Sequence, residues 1–576
     1  MEKLEIEADV LIIGGGLAGI WAAIRAKDFA DEVVLVDKAR VSRSGASTSA
    51  AGVILAPQDD DNLNIWMQEI VERGEYFSDQ DWVEKLLVDQ IARIKDMESW
   101  GIPFERNEEG GLKRIVGRGH EHTRILMFHG KELMEKMREV LIRKGVKLLE
   151  RVMVTDLLTS DGEHPTNGRI VGAVGFNYRT GELCVFRSKA TVIATGSIFP
   201  KTGGRCVDNT NGDGCAMGFR AGADLSSMEL STEGHVSVWR RKYWIVGLNL
   251  YQGLGVWFLN NKGERFMEKY DPVLKERARL SSLCQAFCKE ALDGNGPIYA
   301  DMRHFPPESF SLMDRVIPHC MRIFRKANID LSKEKVEVGA SVGIANGCGN
   351  GGIRINLFGE TNIEGLFGAG AATKTLPHGT YSVGGVNLAY CCVSGYTAGE
   401  FAAKYAKDIP HPVPDSKQVD QLLELAITPI KKDSGESVDH LFDEIRRMTV
   451  PAPFSVFKSE KRIKKVLEKL KDINQISENI FARDWHELVK VNEFKNYLSC
   501  GELIYQAALV REESRGDHYR QEFPYRDDEH WLKWIIINNG NSNPVFRMKN
   551  IPIYRYPIKP ERYEKIPNPV QIKIED

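Results

Sequence analysis

The chain has 576 residues, a formal net charge of −3 and a hydrophobic fraction of 42%. This length suits several domains around a large core, and the absence of a dominant basic block argues against nucleic-acid binding. No run approaches the ~18 apolar residues of a membrane span, and no apolar signal core opens the chain, so we expect a cytoplasmic protein without a direct membrane span.

The first predicted elements form a dinucleotide motif. Residues 8–19, ADVLIIGGGLAG, predict a strand, a tight turn and the start of a helix, and the next apolar run ends at Asp37. Gly14, Gly16 and Gly19 fit G-x-G-x-x-G, which lets the backbone approach a pyrophosphate and the helix pack on the strand. Asp37 is placed to accept a hydrogen bond from a ribose 2′-hydroxyl, which favours FAD or NAD. The alternative is a chance glycine turn.

The next segments combine a polar loop with a β-rich unit. Residues 42–52, SRSGASTSAAG, suit backbone amides wrapped around a bulky planar ligand, although a plain loop would have the same composition. Helical periodicity follows over 81–104 and 130–145, and successive strands then end at Gly196. Small residues at that strand end would permit contact with a cofactor crossing the carboxyl edge of the sheet.

The α/β rhythm breaks over residues 236–345, which are rich in aromatic residues and turns, and it returns over 365–406. The returning segment predicts a short strand, a long loop and a helix that begins near Asn387. Free amides at that helix N-terminus could face an electron-rich ligand edge. We therefore predict a discontinuous nucleotide-binding domain with an inserted domain.

Beyond Pro410 the composition shifts to Leu, Lys, Glu and Ile, and a helical stripe from Ile463 to Ile480 indicates core packing. The predicted fold is α/β, with a discontinuous Rossmann-like FAD-binding domain, an inserted α+β capping domain and a C-terminal helical domain. The predicted units are the first part of the FAD-binding domain at 1–235, the capping domain at 236–345, the second part of the FAD-binding domain at 346–408, the helical domain at 409–530 and an extended tail at 531–576.

Five motifs occur in one order along the chain. They are GGGLAG at 14–19, ATGS at 194–197, NTNGDG at 209–214, HG at 378–379 with GG-x-N at 384–387, and REESRGDHYRQEFPYRDD at 511–528. This set resembles the flavoprotein subunit family of succinate dehydrogenase and fumarate reductase, to which aspartate oxidase and the alpha subunit of adenylylsulfate reductase are similar. The resemblance implies a two-electron reaction of FAD at the interface between the FAD-binding and capping domains.

Together, motif and resemblance predict which residues contact FAD. They are Gly14, Gly16, Leu17, Ala18, Gly19, Asp37, Lys38, Ser44, Gly45, Ser47, Ala51, Gly52, Val154, Ala194, Thr195, Gly196, Asn211, Asp213, Gly370, Ala371, Asn387 and Leu388. Relatives with covalent flavin carry a histidine where this chain has Gly45 and Ala46, so we expect non-covalent FAD.

The resemblance also implies the groups that act on the substrate. His378 matches a substrate histidine, Arg277 or Arg279 matches the proton-delivering arginine, and His235 lies one position from a family histidine. The dicarboxylate enzymes clamp a substrate carboxylate with an arginine where this chain has Ser382, so succinate and fumarate should be poor ligands. The implied reaction is hydride transfer between flavin N5 and a carbon beside a carboxylate or thioester of an anionic substrate. Alternatives are a sulfur-substrate reductase similar to adenylylsulfate reductase and a non-catalytic electron-transfer subunit.

The ten cysteines include no C-x-x-C pair, which indicates ordinary thiols and no iron–sulfur cluster held by this chain. The histidines of the loop RGHEHTR, residues 118–124, lack a convincing third ligand, so no metal site is predicted. Electrons should therefore pass to an iron–sulfur or other redox subunit. Direct reoxidation by oxygen, as aspartate oxidase permits, is the alternative.

Overall fold

A computed structural model describes residues 3–50, 52–199, 210–231, 233–236, 238–239, 243–244, 247–345, 349–540 and 543–575. For 233–235, 238–239 and 243–244 the description covers the backbone alone. Within these ranges, no helix combines the length and apolar character that a membrane crossing requires.

A seven-stranded sheet forms the centre of the N-terminal domain. Its path runs through Lys147–Glu150, Val33–Asp37, Lys3–Ile13, Leu183–Ile193, Ile170–Asn177 and Val152–Thr159, and Leu366–Gly368 also pairs with Leu183–Ile193. The first four strands of the path and the late strand Leu366–Gly368 pair in parallel, whereas the last two pair antiparallel. A strand from residue 366 completes a sheet begun at residue 3, which confirms the predicted discontinuous Rossmann-like domain.

Two long-separated helices cover this sheet in close contact. Leu17–Ala26 follows the glycine turn, and Val386–Ala406 follows the second segment of the domain. A Cβ on Gly395 would lie 2.3 Å from the backbone oxygen of Ala18, and one on Gly399 would lie 2.2 Å from that of Ala22. Glycines one turn apart therefore let the two helix backbones touch, which locks the two halves of the domain together.

The other elements of this domain are helices and a small antiparallel sheet. The helices are Ala46–Ser49, Leu63–Arg73, Gln80–Ser99, Gly130–Arg143 and Asp213–Ala221. A small antiparallel sheet contains Val53–Leu55, Ile125–Met127 and Arg114–Ile115.

The capping region has its own hydrophobic core, which includes Phe258, Phe287 and Phe324. Its antiparallel sheet contains Trp257–Leu259, Ile298–Asp301 and Val336–Val338, and Glu233–Val236 pairs with Ala340–Val342. The helices are Leu248–Gly253, Met267–Tyr270, Leu280–Leu292, Pro307–Val316 and Pro318–Lys326. The mixture of sheet and helices confirms the predicted α+β character of this insertion.

The C-terminal region is largely helical, as predicted. Its longer helices are Ser416–Ile427, Val438–Thr449, Glu460–Ser477 and Trp485–Val510. Ile463, Val466 and Leu470 are fully buried, so the stripe lies in the core, although Ile476 is 43% exposed.

The segment 531–576, predicted as an extended tail, begins with a β-hairpin. Lys533–Gly540 and Asn543–Asn550 pair antiparallel, and the first of them pairs with Leu225–Ser226 of the N-terminal domain. The tail is thus built into a four-stranded sheet that also contains Gly352–Ile353. Farther along, Lys565–Pro567 pairs with Tyr525–Asp527. The run WIII at 534–537 consists of strand-favouring residues that are all buried, which explains why this stretch pairs instead of lying loosely on the surface.

Candidate functional site

A deep cavity of about 1630 Å³, including its mouth, lies at the carboxyl edge of the parallel strands. The glycine turn lines one side, the segment around Asn387 lines another, and Leu248 and Asn249 of the capping region line a third. Most of the predicted FAD contacts line it. They are Gly14, Gly16, Leu17, Ala18, Asp37, Lys38, Ser44, Gly45, Ser47, Val154, Ala194, Thr195, Gly196, Asp213, Ala371, Asn387 and Leu388.

The three motif glycines serve different purposes. A Cβ on Gly14 would lie 2.4 Å from the backbone oxygen of Ala194, and one on Gly19 would lie 1.8 Å from that of Gly14. The packing of the protein is by itself enough to require a glycine at these two positions. A Cβ on Gly16 would meet no protein atom closer than the Ser47 hydroxyl, at 3.8 Å, and Gly16 has an ordinary φ of −77°. The missing side chain therefore leaves space in the cavity, where a ligand can come close to the protein backbone at Gly16.

The acid that ends the second strand is held by backbone amides. Asp37 accepts hydrogen bonds from the amides of Gly15 and Ala39, each at 2.6 Å, and burial raises the pKa of its carboxyl group. Each carboxylate oxygen has a second lone pair, so Asp37 can still accept from a ribose hydroxyl. The orientation of this acceptor is fixed before any ligand binds.

Lys38 connects the cavity to the helical region. Its ammonium lies 2.6 Å from Asp213 and 2.8 Å from Glu493 on the helix Trp485–Val510. Burial alone would lower the pKa of Lys38, but the charges of Asp213 and Glu493 outweigh it and raise the pKa. The side chain lines the cavity, yet its charge is already neutralised, so its main effect is to hold the helical region in place.

The far side of the cavity is built by a helix N-terminus. Gly385 precedes the helix Val386–Ala406 with φ of +83°, and a Cβ there would lie 2.6 Å from the amide nitrogen of Leu55. Because Gly385 offers no capping side chain, the first helical amides remain for a ligand. The glycine turn, the Asp37 acceptor and these amides fit a dinucleotide with a flat electron-rich ring system.

Four of the predicted FAD contacts do not line the cavity. Gly19 lies behind the turn, a Cβ on Gly52 would lie 1.6 Å from the backbone oxygen of Phe128, and one on Gly370 would lie 2.6 Å from the Ala18 side chain. Asn211 is buried in a bridge with Ile198. The glycines are therefore sites of close packing. Ala51 lies outside the described residues.

The predicted catalytic histidine is not among the described residues that line the cavity, but it packs against one that does. His378 is 1% exposed, and its ring lies 4.2 Å from that of Tyr381, which lines the cavity. Burial, with the charges of Arg118 and Lys374, lowers the pKa of His378 well below its usual range. The ring is neutral at physiological pH. His235 lies in the strand Glu233–Val236, but its side chain lies outside the described residues.

The two candidate arginines have different surroundings. Arg279 lies 2.7 Å from the Glu75 carboxylate and donates to the backbone oxygen of Arg73. Arg277 is half-buried, and the one hydrogen bond of its side chain among the described residues is a long contact of 3.5 Å to the backbone oxygen of His120. Arg279 is thus fixed by an ion pair, while Arg277 has no such partner in the described part of the chain.

Several lining residues were not predicted. Gly247, Leu248 and Asn249 come from the capping region, Met217 from the helix Asp213–Ala221, and Tyr381 and Cys391 from the second segment. Tyr381 has φ of +75°, a left-handed conformation that is unusual for an aromatic residue and is often found at functional sites. In the sequence, only the neighbouring His-Gly and Gly-Gly pairs point to this residue.

Comparisons with known proteins show the family of the chain. The model of the FAD binding domain matches residues 9–388, and that of the fumarate reductase flavoprotein C-terminus matches residues 447–564. A fumarate reductase (CoM/CoB) subunit from Methanothermobacter marburgensis is 30% identical over 565 residues, covering 93% of this chain and 98% of its own.

Two further similarities extend over nearly the whole chain. The succinate dehydrogenase flavoprotein subunit of Rickettsia bellii is 26% identical, covering 93% of this chain and 94% of its own. A solved structure of Escherichia coli quinol fumarate reductase has a TM-score of 0.86 at 23% identity, covering 98% of this chain and 99% of that one. The chain belongs to the family of FAD-dependent oxidoreductases that contains the fumarate reductase and succinate dehydrogenase flavoprotein subunits.

Proposed function

We propose that the protein transfers a hydride between the N5 atom of FAD and an anionic organic substrate, and exchanges the electrons with an iron–sulfur subunit or equivalent redox protein. The observation that carries this proposal is the continuity of one cavity. It extends from the glycine turn at Gly14 to Leu248 and Asn249 of the capping region. A cofactor in this cavity would have one part in the nucleotide cradle and another against the cap, where a substrate would be enclosed.

The proposed binding of FAD divides between the two halves of the domain. The amides at the start of the helix Leu17–Ala26 would hold the pyrophosphate, and Asp37 would accept from the ribose. Asn387 and the helix N-terminus beside it would hold the electron-rich edge of the ring system. Bound FAD supplies the two-electron chemistry, and the chain positions and polarises what it meets.

The proposed substrate groups are His378, which packs against the cavity-lining Tyr381, and Arg277 or Arg279, neither of which is among the described residues that line the cavity. His378 is buried and neutral, so it can donate one hydrogen bond to charge that develops on the substrate without carrying a charge itself. Arg277 has no carboxylate partner among the described residues, which leaves its charge available for an anion. We assign proton delivery to Arg277 or to Arg279, whose pairing with Glu75 would instead suit a positioned relay.

A redox partner is proposed because a two-electron flavin must be returned to its starting state in every cycle. The similar protein of Methanothermobacter marburgensis is itself named as one subunit of a fumarate reductase. We propose docking on the face of the FAD-binding domain near the flavin dimethylbenzene edge, and a cytoplasmic location. The rival is reoxidation by oxygen without a partner.

The test is an anaerobic titration of the oxidised holoenzyme, read by flavin absorbance, with dicarboxylates, acyl-CoA thioesters and sulfonucleotides. A saturable spectral change with a carboxylate or thioester supports the proposal, whereas a response to sulfonucleotides alone would favour the sulfur-substrate reductase. For the partner, rapid and complete reoxidation by oxygen with stoichiometric peroxide, in a monomer without a co-purifying redox subunit, would contradict it.

A further inference from the structure

A buried arginine lies beside the proposed substrate side of the cavity without a charge partner. Arg118 is 1% exposed, and its Nη1 atom has no hydrogen-bond partner among the described residues. Its guanidinium carbon lies 4.3 Å from the centre of the ring of Tyr381, which lines the cavity, whereas Arg118 itself lies behind that ring and is not among the described lining residues. An unpaired buried charge costs free energy, so its retention requires a reason outside the packing of this loop.

Other fully buried arginines of the described chain are paired. Arg511 lies 2.8 Å from Glu229 and from Glu513, and Arg515 lies 2.8 Å from Glu513 and from Asp528. The protein therefore neutralises buried guanidinium groups where they serve structure. At Arg118 no described carboxylate lies within ion-pair distance, and the neighbouring groups Tyr381 and His378 are uncharged.

The backbone around Arg118 is fixed from two directions. Its carbonyl accepts from the amide of Gly384 at 2.9 Å, and the amide of Gly119 donates to the carbonyl of Arg277 at 2.8 Å. Farther along the loop, the Glu69 carboxylate accepts from three successive amides, those of residues 121–123. A fixed loop places the guanidinium before a ligand binds, which reduces the ordering cost of binding.

We propose that Arg118 binds the carboxylate of the substrate, in place of the arginine that the dicarboxylate enzymes resembled by this chain carry at the position of Ser382. Ser382 is fully buried and hydrogen-bonded to His378, so it offers no positive charge to an anion. Gly119, next to Arg118, packs against this same segment, since a Cβ there would lie 3.0 Å from the backbone oxygen of Ser382. The positive charge would thus come from a different loop that packs against the same segment.

The proposal deepens the proposed function and rests on its anionic substrate. A guanidinium fork matches a planar carboxylate, so the substrate class is an organic carboxylate. With one such clamp, an acid with a single carboxylate should depend on Arg118 as strongly as a dicarboxylate does.

The test measures binding of crotonate, which has one carboxylate, and of fumarate, which has two, to the oxidised holoenzyme by flavin difference spectra. The variants are Arg118→Gln, Arg118→Lys and, as the control from the same loop, Arg124→Gln, because Arg124 donates only to backbone oxygens of its own loop. Arg118→Gln should weaken binding of both anions by roughly 10- to 100-fold. Arg118→Lys should fall between it and the wild type, and Arg124→Gln should match the wild type.

Thermal unfolding of the ligand-free holoenzyme separates binding from structure. If Arg118 serves the substrate, Arg118→Gln removes an uncompensated buried charge and should melt at the same or a higher temperature. Loss of flavin, a lower melting temperature or unchanged anion binding in Arg118→Gln would each overturn the proposal. Wild-type binding with an unaffected variant would overturn this inference alone. A wild type that binds neither acid would also overturn this inference, and it would contradict the proposed function only if the dicarboxylates and acyl-CoA thioesters of the titration panel leave the flavin spectrum unchanged as well.

Discussion

The backbone amide of Ser382 donates to Nδ1 of His378 at 2.9 Å, and the Ser382 hydroxyl lies 3.0 Å from the same atom. A backbone amide can only donate, so Nδ1 carries no proton, and the neutral ring carries its proton on Nε2. The residue that stands in place of the family arginine therefore sets the tautomer of the candidate catalytic histidine. This arrangement gives His378 the character of a fixed, uncharged hydrogen-bond donor.

The first prediction concerns that donor. His378→Leu removes the Nε2 proton and should lower kcat/KM for the carboxylate substrate by roughly 100-fold, while His378→Gln keeps an N–H donor and should retain more activity. Both variants should keep FAD. Because the pKa of His378 lies well below its usual range, its ring should not titrate near pH 6.5. The pH profile of kcat/KM should therefore have the same shape near pH 6.5 in the wild type and in His378→Gln. Equal activity of the two variants would contradict the donor role.

The second prediction separates the cofactor glycine from a packing glycine. Gly16→Val places carbon atoms in the cavity and should yield folded protein without FAD, since no protein atom lies within 3.8 Å of the new Cβ. Gly19→Ala is the matched control, because its Cβ would lie 1.8 Å from a backbone oxygen and should destabilise the fold itself. The measurements are the flavin-to-protein absorbance ratio and thermal unfolding. Stoichiometric flavin in Gly16→Val would show that the cofactor site is misplaced.

The third prediction is that FAD is bound without a covalent bond. Gly45 and Ala46 carry no nucleophilic side chain, and no histidine is among the described residues that line the cavity. Acid precipitation should therefore release intact FAD into the supernatant and leave a colourless pellet. Flavin fluorescence that remains with the precipitated protein would refute this.

The fourth prediction concerns stability at low pH. Burial alone would raise the pKa of Glu75, but the charges of Arg279, Arg526 and Arg515 outweigh it and lower the pKa to about 2. A carboxyl group with a lowered folded-state pKa stabilises the fold above its unfolded value, near 4.5, and this stability is lost as the pH falls towards 2. Glu75→Gln should cost about 3 kcal/mol at neutral pH.

Chemical denaturation at neutral pH and at about pH 3 checks this prediction, because the deficit of Glu75→Gln should shrink once the carboxyl group of the unfolded wild-type chain binds a proton below its pKa near 4.5. Glu268→Gln is the control, since Glu268 pairs with Lys275 at the exposed surface, where an ion pair contributes little. A deficit that is the same at both pH values would rule out the ionised pair as its cause.

The sequence predicts most reliably what depends on neighbouring residues. The turn at Gly14, the following helix and the acid Asp37 lie within one βαβ segment, so local spacing is enough to place them at one strand edge. Gly52 and Gly370 show the limit of this reasoning. A glycine required by a neighbouring backbone has the same sequence signature as a glycine required by a ligand, and only the fold distinguishes them.

Residues that come from distant segments could not be predicted in this way. Asn249 reaches the cavity from the capping region, and Arg118 belongs to a charged loop whose burial depends on packing against residues near 382. The hairpin of the tail has a local signal in the sequence, because the cluster NNGNSN at 538–543 is rich in Asn and Gly, which favour turns between strands. The pair Asn539 and Gly540 does not itself form the turn, since both residues still pair with the second strand. The prolines farther along favour an extended tail over the whole segment 531–576, and this prediction is wrong for the paired strands Lys533–Gly540 and Asn543–Asn550.

An anaerobic single turnover shows whether the reduced flavin transfers a hydride to a carboxylate. The holoenzyme is photoreduced, mixed in a stopped-flow instrument with a panel of unsaturated carboxylates, and followed through the visible flavin band. We expect one carboxylate to restore the oxidised band completely and to yield one equivalent of the saturated product, faster than oxygen reoxidises the same protein. A flavin that stays reduced with every carboxylate, while oxygen or a sulfonucleotide reoxidises it rapidly, would contradict hydride transfer to a carboxylate.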